Sequence, residues 1–151
     1  MSPPRRPRYQ LWGVYYGPCH QIPPHEDGSV RNKFYVVVRV CSEARQAYCA
    51  LINSNQANLP GIHDCQLPVA PGDIAYEGAT GLGLINPQSW LSVHTSQSGG
   101  RLHALPPYVP EDHELVGRLD EGVVQGIFAI IQRCKNIGRA HKAMLLGDAD
   151  C

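Results

Sequence analysis

The side chains best suited to chemistry gather around one hairpin. Arg31 and Lys33 stand at the start of the run KFYVVVRV, and Asn53 and Ser54 stand at the end of ALINS. The first segment, Lys33–Cys41, is a near-continuous β-branched and aromatic run, the composition of a strand buried on both faces. The second, Ala47–Asn53, carries Tyr48, Cys49, Leu51 and Ile52. The polar stretch from Ser42 to Gln46 has the length of a hairpin connection. In an antiparallel pair the two outer ends lie side by side. Two cations, a carboxamide and a hydroxyl are therefore expected at one sheet edge, a set of groups that binds anions. His20 and His25 precede this edge in a loop rich in Pro and Gly, and imidazole exchanges protons near neutral pH.

Two other chemistries are open to the same loops. Cys19, His20 and His25 on one side of the hairpin, and His63, Asp64 and Cys65 on the other, are groups of metal-ligand type. No CxxC spacing accompanies them, so no metal or other cofactor is assigned. Cys19 could also serve as a nucleophile if His63 or His94 met it across space, because adjacent Cys19 and His20 cannot form that dyad alone. Cys41, Cys49 and Cys134 fall in strands or on an apolar helix face and read as core, whereas Cys151 reads as exposed.

The elements that must position these residues follow in order. Residues 1–8 are Pro- and Arg-rich and read as a disordered basic tail. Tyr9–Tyr16 reads as the first strand, ended by Gly17-Pro18, and residues 17–32 as a long loop. Cys65–Val69 and Ile74–Tyr76 are short strands around a Pro71-Gly72-Asp73 turn. GATGLGLINPQ is a loop whose glycines lack the spacing of a dinucleotide fingerprint. Ser89–Thr95 alternates as a half-buried strand, and Arg101–Leu105 extends the sheet. Helical character is expected from about residue 111, where Pro110, Glu111 and Asp112 suit a helix start. Asp120 caps a second helix with Val123, Val124, Ile127, Phe128, Ile130, Ile131 and Cys134 on one apolar face, and Gly138 stops it. A short helix spans Arg139–Leu146, and residues 147–151 fray. Strands first and helices after indicate an α+β domain over 9–146, with a small barrel-like sheet of short antiparallel strands.

Composition bounds the partners. Of 151 residues, 43% are hydrophobic, enough for one core, and 13 cationic side chains balance 13 acidic ones. That balance argues against a non-specific coat for nucleic acid, though not against a local basic groove. No apolar run is long enough to span a membrane. MSPPRRPRY lacks the apolar segment of a secretory signal, so the expected setting is the cytoplasm, with the six cysteines as reduced thiols.

Four segments, WGVYYGP, KFYVVVRV, ALINS and GRLDEGVVQGIFAII, give the chain an order that resembles the MazF/PemK-like toxin family. The resemblance covers Leu11–Ile131. It implies an SH3-like barrel and a metal-independent endoribonuclease that cleaves single-stranded RNA. It also implies an antitoxin-like protein partner and pairing into a homodimer. In that family the basic residue is usually Arg followed by Pro, where this chain has Lys33-Phe34, and the family's Thr-Ser is Asn53-Ser54 here. By this resemblance Lys33 and Arg31 stabilise charge on the phosphorane, Ser54 orients the phosphate, and His20 or His25 moves protons. Asn53 and Ser89 then hold substrate, and Trp90 either packs in the core or stacks on a base. The alternative is a non-catalytic SH3-like interaction or regulatory module that kept the barrel and lost the chemistry.

Overall fold

A computed structural model describes residues 7–20, 24–42, 46–53, 65–77, 89–94 and 102–151. Its strands form one antiparallel sheet. They are β1 (Gly13–Pro18), β2 (Asn32–Val40), β3 (Ala47–Asn53), β4 (Gln66–Val69), β5 (Ile74–Tyr76), β6 (Ser89–Ser92), β7 (Leu102–Leu105) and β8 (Glu114–Leu119). The order is β4-β6-β3-β2-β1-β8-β5, and β7 also pairs with β3. The outer edge of β3 is thus shared. Its first half, from Ala47 to Ala50, pairs with β7, and Ile52 and Asn53 pair with β6. Two helices follow, α1 (Glu121–Arg133) and α2 (Arg139–Leu145). Among the described residues no helix is long and apolar enough to cross a membrane.

The valine-rich run of β2 is central, as its composition requires, and period-two alternation gives it two buried faces. Val36 and Val38 join Val14, Ala50, Ile52 and Leu91 beneath the helices, with Ile127, Ile130 and Ile131 of α1 as the covering layer. Tyr35 and Val37 face the other way, into a smaller cluster with Tyr9, Tyr15, Cys19, Cys49 and Leu51. Asp120 caps α1 as expected, its Oδ2 accepting from the Gly122 amide at 3.1 Å. Phe128 reaches beyond the stripe to meet Trp12 edge-on, with ring centroids 5.4 Å apart.

Several boundaries differ from the sequence reading. The first strand begins at Gly13 because a turn precedes it. Gly13 donates to the Gln10 carbonyl at 2.9 Å, and Trp12 takes a left-handed φ of 63°. The strand then runs through Pro18, which pairs with Asn32, so the following loop is shorter than expected. The helix expected from about residue 111 is instead a turn and a strand. His113 donates to the Pro110 carbonyl at 3.0 Å, and β8 pairs with both β1 and β5. Two-sided sheet pairing outweighs the helix-start signal of Pro110 and its acids, as tertiary context commonly does. Gly138 does not stop α1, which ends at Arg133 with Cys134 as its cap; Gly138 is the N-cap of α2.

The cysteine expectation is corrected. Cys41 is bonded to Cys151, and Cys65 to Cys134. Only Cys19 and Cys49 are free, both buried. Scatter along the sequence misled, because strands and helices bring together cysteines 110 and 69 positions apart. Residues 147–151 are not loose in this structure. Asp150 accepts from the Ser42 amide at 3.2 Å, next to the Cys41–Cys151 bond. At the other end, Pro7 and Arg8 are placed as well. The Pro7 carbonyl accepts from Val109 at 2.9 Å, and the Arg8 guanidinium lies 5.2 Å from the Tyr108 ring centre. The rest of the expected basic tail, 1–6, lies outside the described residues.

Candidate functional site

The strand registers assemble the site. Gly17 of β1 lies opposite Lys33 of β2. Phe34 lies opposite Ile52, which makes Asn53 the next neighbour of Lys33, and Lys33 Nζ donates to Asn53 Oδ1 at 2.9 Å. Asn53 in turn faces Trp90 of β6, and Trp90 faces Pro68 of β4. Residues directly opposite on antiparallel strands share a face. Gly17, Lys33, Asn53, Trp90 and Pro68 therefore form one row across five strands, on the face away from the helices. Asn53 is buried, and Lys33 and Trp90 are half-buried. The row thus offers a cation oriented by a fixed carboxamide, two strands away from an indole.

Behind the row the same face carries a recess of about 190 Å3. Tyr9, Cys19, His20, Tyr35, Cys49 and His113 line it together with leucine and proline side chains. Its polar groups form a directed chain. His113 Nε2 is 2.8 Å from the Pro18 carbonyl, which can only accept, so this nitrogen donates. In the neutral imidazole Nδ1 then accepts, and the Tyr35 hydroxyl donates to it at 2.6 Å. The Tyr9 hydroxyl lies 3.4 Å from that of Tyr35, a long contact for two hydroxyls. Burial pushes the Tyr9 phenol up to about 12, although its hydrogen bond to Tyr35 acts the other way. Burial raises Tyr35 further. It also raises both free thiols, and for Cys19 the nearby Lys33 ammonium opposes this in part.

The structure places the remaining candidates unequally. Arg31 is exposed, and its carbonyl accepts from the Cys19 amide at 2.9 Å. By alternation it shares the face of Lys33. His20 is exposed and lines the recess. His25 is also exposed but lies in a separate turn, its amide donating to the Ser29 carbonyl at 3.0 Å. Ser89 is buried and alternates away from Trp90 onto the helix-covered face. Ser54, His63 and Asp64 lie outside the described residues. Among the described residues no group of three or more metal-type side chains gathers, and the Cys65 sulfur is taken up by Cys134. The imidazoles that share the recess with Cys19 are His20 and His113, not His94.

No protein-family model matches the chain, and no curated protein matches it. The geometry of the recess brings forward His113, which the sequence did not single out. Its ring packs against Gly17, where an added Cβ would come within 2.5 Å of two ring carbons. The glycine makes room for the imidazole to bridge β1 and the turn before β8. A single histidine within PEDHELV gives no periodic or spacing signal, and the surrounding acids pointed to a helix start instead.

Proposed function

We propose that this chain is a MazF/PemK-like, SH3-like barrel that binds single-stranded RNA across the Lys33–Asn53–Trp90 row and cleaves it without metal. The observation that carries the reading is that row. A strand-end lysine positioned by a buried carboxamide suits a phosphate, and an indole two strands away suits the adjoining base. Arg31 adds a second positive charge on the same face. In this reading Lys33 and Arg31 stabilise the phosphorane. His20, at the rim of the recess, takes the 2′-hydroxyl proton, and Ser54 orients the phosphate. A second copy in a homodimer and an antitoxin-like protein complete the reading. So does a cytoplasmic setting, against which the two disulfides pull, since such bonds persist mainly in oxidising compartments.

A second reading, a non-catalytic protein-interaction or regulatory module, is favoured by two specific observations. Both ring nitrogens of His113 are occupied, by Tyr35 and by the Pro18 carbonyl. The open cleft beside Gly17 is lined by Glu111, Asp112 and Glu114, whose charges oppose a phosphate backbone at that end of the row. One experiment separates the readings. Chelator-treated protein is incubated with end-labelled single-stranded RNA. Discrete products that vanish in Lys33→Ala and persist in chelator support the nuclease. RNA that is bound but stays intact removes the nuclease, and RNA neither bound nor cut at high protein concentration supports the interaction module.

A further inference from the structure

The recess beside the row has a chemistry of its own. Its volume, about 190 Å3, exceeds the ~150 Å3 of a cavity known to admit benzene and falls short of the roughly 300 Å3 at which drug-sized sites begin. It therefore matches a single ring system. Its walls are the rings of Tyr9 and Tyr35, the prolines Pro18, Pro106 and Pro110, and the side chains of Leu51 and Leu105. Among the described residues no lysine, arginine, aspartate or glutamate lines it. A charged ligand would thus lose its hydration without gaining an ionic partner.

The directed chain fixes what the ligand must bring. The Pro18 carbonyl takes the His113 proton, and His113 Nδ1 takes the Tyr35 proton. The Tyr9 hydroxyl is then left to point its own proton at the Tyr35 oxygen, across the long 3.4 Å contact. The unspent capacity at the head of the chain is the acceptor side of the Tyr9 oxygen. A ligand that offers an N–H or O–H there completes the chain, and one that offers only an acceptor does not.

We propose that this recess is a binding site for a neutral, single-ring-system aromatic molecule bearing one hydrogen-bond donor, of the indole or phenol class. The site shares His20 with the RNA reading, but neither Lys33 nor Trp90 lines it, so the two readings fail separately. Indole has nine non-hydrogen atoms, and at ordinary ligand efficiency its dissociation constant falls at about 0.1–1 mM.

Indole is titrated into the full chain and followed by ligand-observed NMR, with toluene as the ring lacking a donor. Saturable binding of one indole per chain is expected, with toluene weaker by about fivefold or more. Tyr9→Phe keeps the ring and removes the acceptor, and should bring indole down to the toluene level. Cys19 supplies a second readout, because it lines the recess. Saturating indole should slow its alkylation by iodoacetamide, as read by peptide mass mapping. Absence of saturable binding up to the solubility of indole would overturn the proposal. So would binding that neither responds to Tyr9→Phe nor protects Cys19. Loss of RNA binding in Lys33→Ala with indole binding intact would leave this site standing, and the converse result would leave the row standing.

Discussion

Replacing Cys65 and Cys134 together by alanine should cost the protein a large part of its stability. The bond closes a loop of 69 positions. The chain-entropy relation assigns such a loop about 4.4 kcal/mol at 25 °C, by restricting the unfolded ensemble. Both residues are fully buried in the main core, where they tie the start of β4 to the end of α1. The native state therefore has no freedom to recover by moving these segments apart. Set against a typical total of about 5–15 kcal/mol, the loss is severe. Urea unfolding at pH 7, followed by tryptophan fluorescence, should show the midpoint falling by about 2 M for a slope near 2 kcal/mol/M. Intact mass under non-reducing conditions should show the native chain lighter than its fully reduced form by the hydrogens of two bonds. A double variant within about 1 kcal/mol of the native protein would refute the reasoning, as would an oxidised protein whose six thiols all react with a labelling reagent.

Four further outcomes follow from the structure. Lys33→Gln should weaken single-stranded RNA binding and reduce the slope of log affinity against log salt by about 0.7, the value for one lost phosphate contact; an unchanged slope places the phosphate elsewhere. Trp90→Ala should weaken the same binding by about tenfold, within the range for one stacked base, at any salt concentration, as read by fluorescence anisotropy. Gly117→Ala should destabilise the fold by about 2 kcal/mol, because a Cβ there would collide with the Ala75 carbonyl and loosen the pairing of β5 with β8. Alkaline titration should show stability flat to about pH 8.5 and then falling. The unfolded chain releases its thiol protons first and its tyrosine protons from about pH 10, while burial raises Cys19, Cys49 and Tyr35 and holds the Tyr9 proton to about 12; discounted for partial screening, Tyr9 accounts for a loss on the order of 1–2 kcal/mol by pH 12. Tyr9→Phe should flatten this fall, and a fall that is unchanged in the variant would assign it to other groups.

The legible parts of the sequence were those where one local pattern had no competitor. The run from Phe34 to Val40 allowed only a buried strand. The stripe from Val123 to Ile131 allowed only a packed helix, with Asp120 as its cap. From these two elements the Lys33–Asn53 contact followed, because pairing the outer ends of a hairpin is a matter of counting. The parts that stayed hidden depend on pairings between distant segments. Glu114–Leu119 has no strand signal stronger than the Pro110 and acid signal before it, and it becomes a strand because β1 and β5 both need a partner. His113 gained its place only through that outcome. The cysteine pairs were hidden for the same reason, since sequence spacing does not report which strand end meets which helix end.

The two faces of the sheet then divide the work of the molecule. The face under α1 and α2 is closed by apolar packing and anchored by Cys65–Cys134. The other face carries only a short cluster, and the row and the recess both open on it. Lys33 joins these two features. It is bonded to Asn53 in the row, and its charge acts on Cys19 in the recess. β2 is also the strand whose partners on both sides are longest in register, so Lys33 is held at the end of the most firmly paired element of the sheet. A cation fixed in this way adds little to folding at a strand end, where an exposed polar residue would serve equally well. Its half-buried position and its carboxamide partner suit the anion-binding role proposed for it, because the ammonium is oriented in advance.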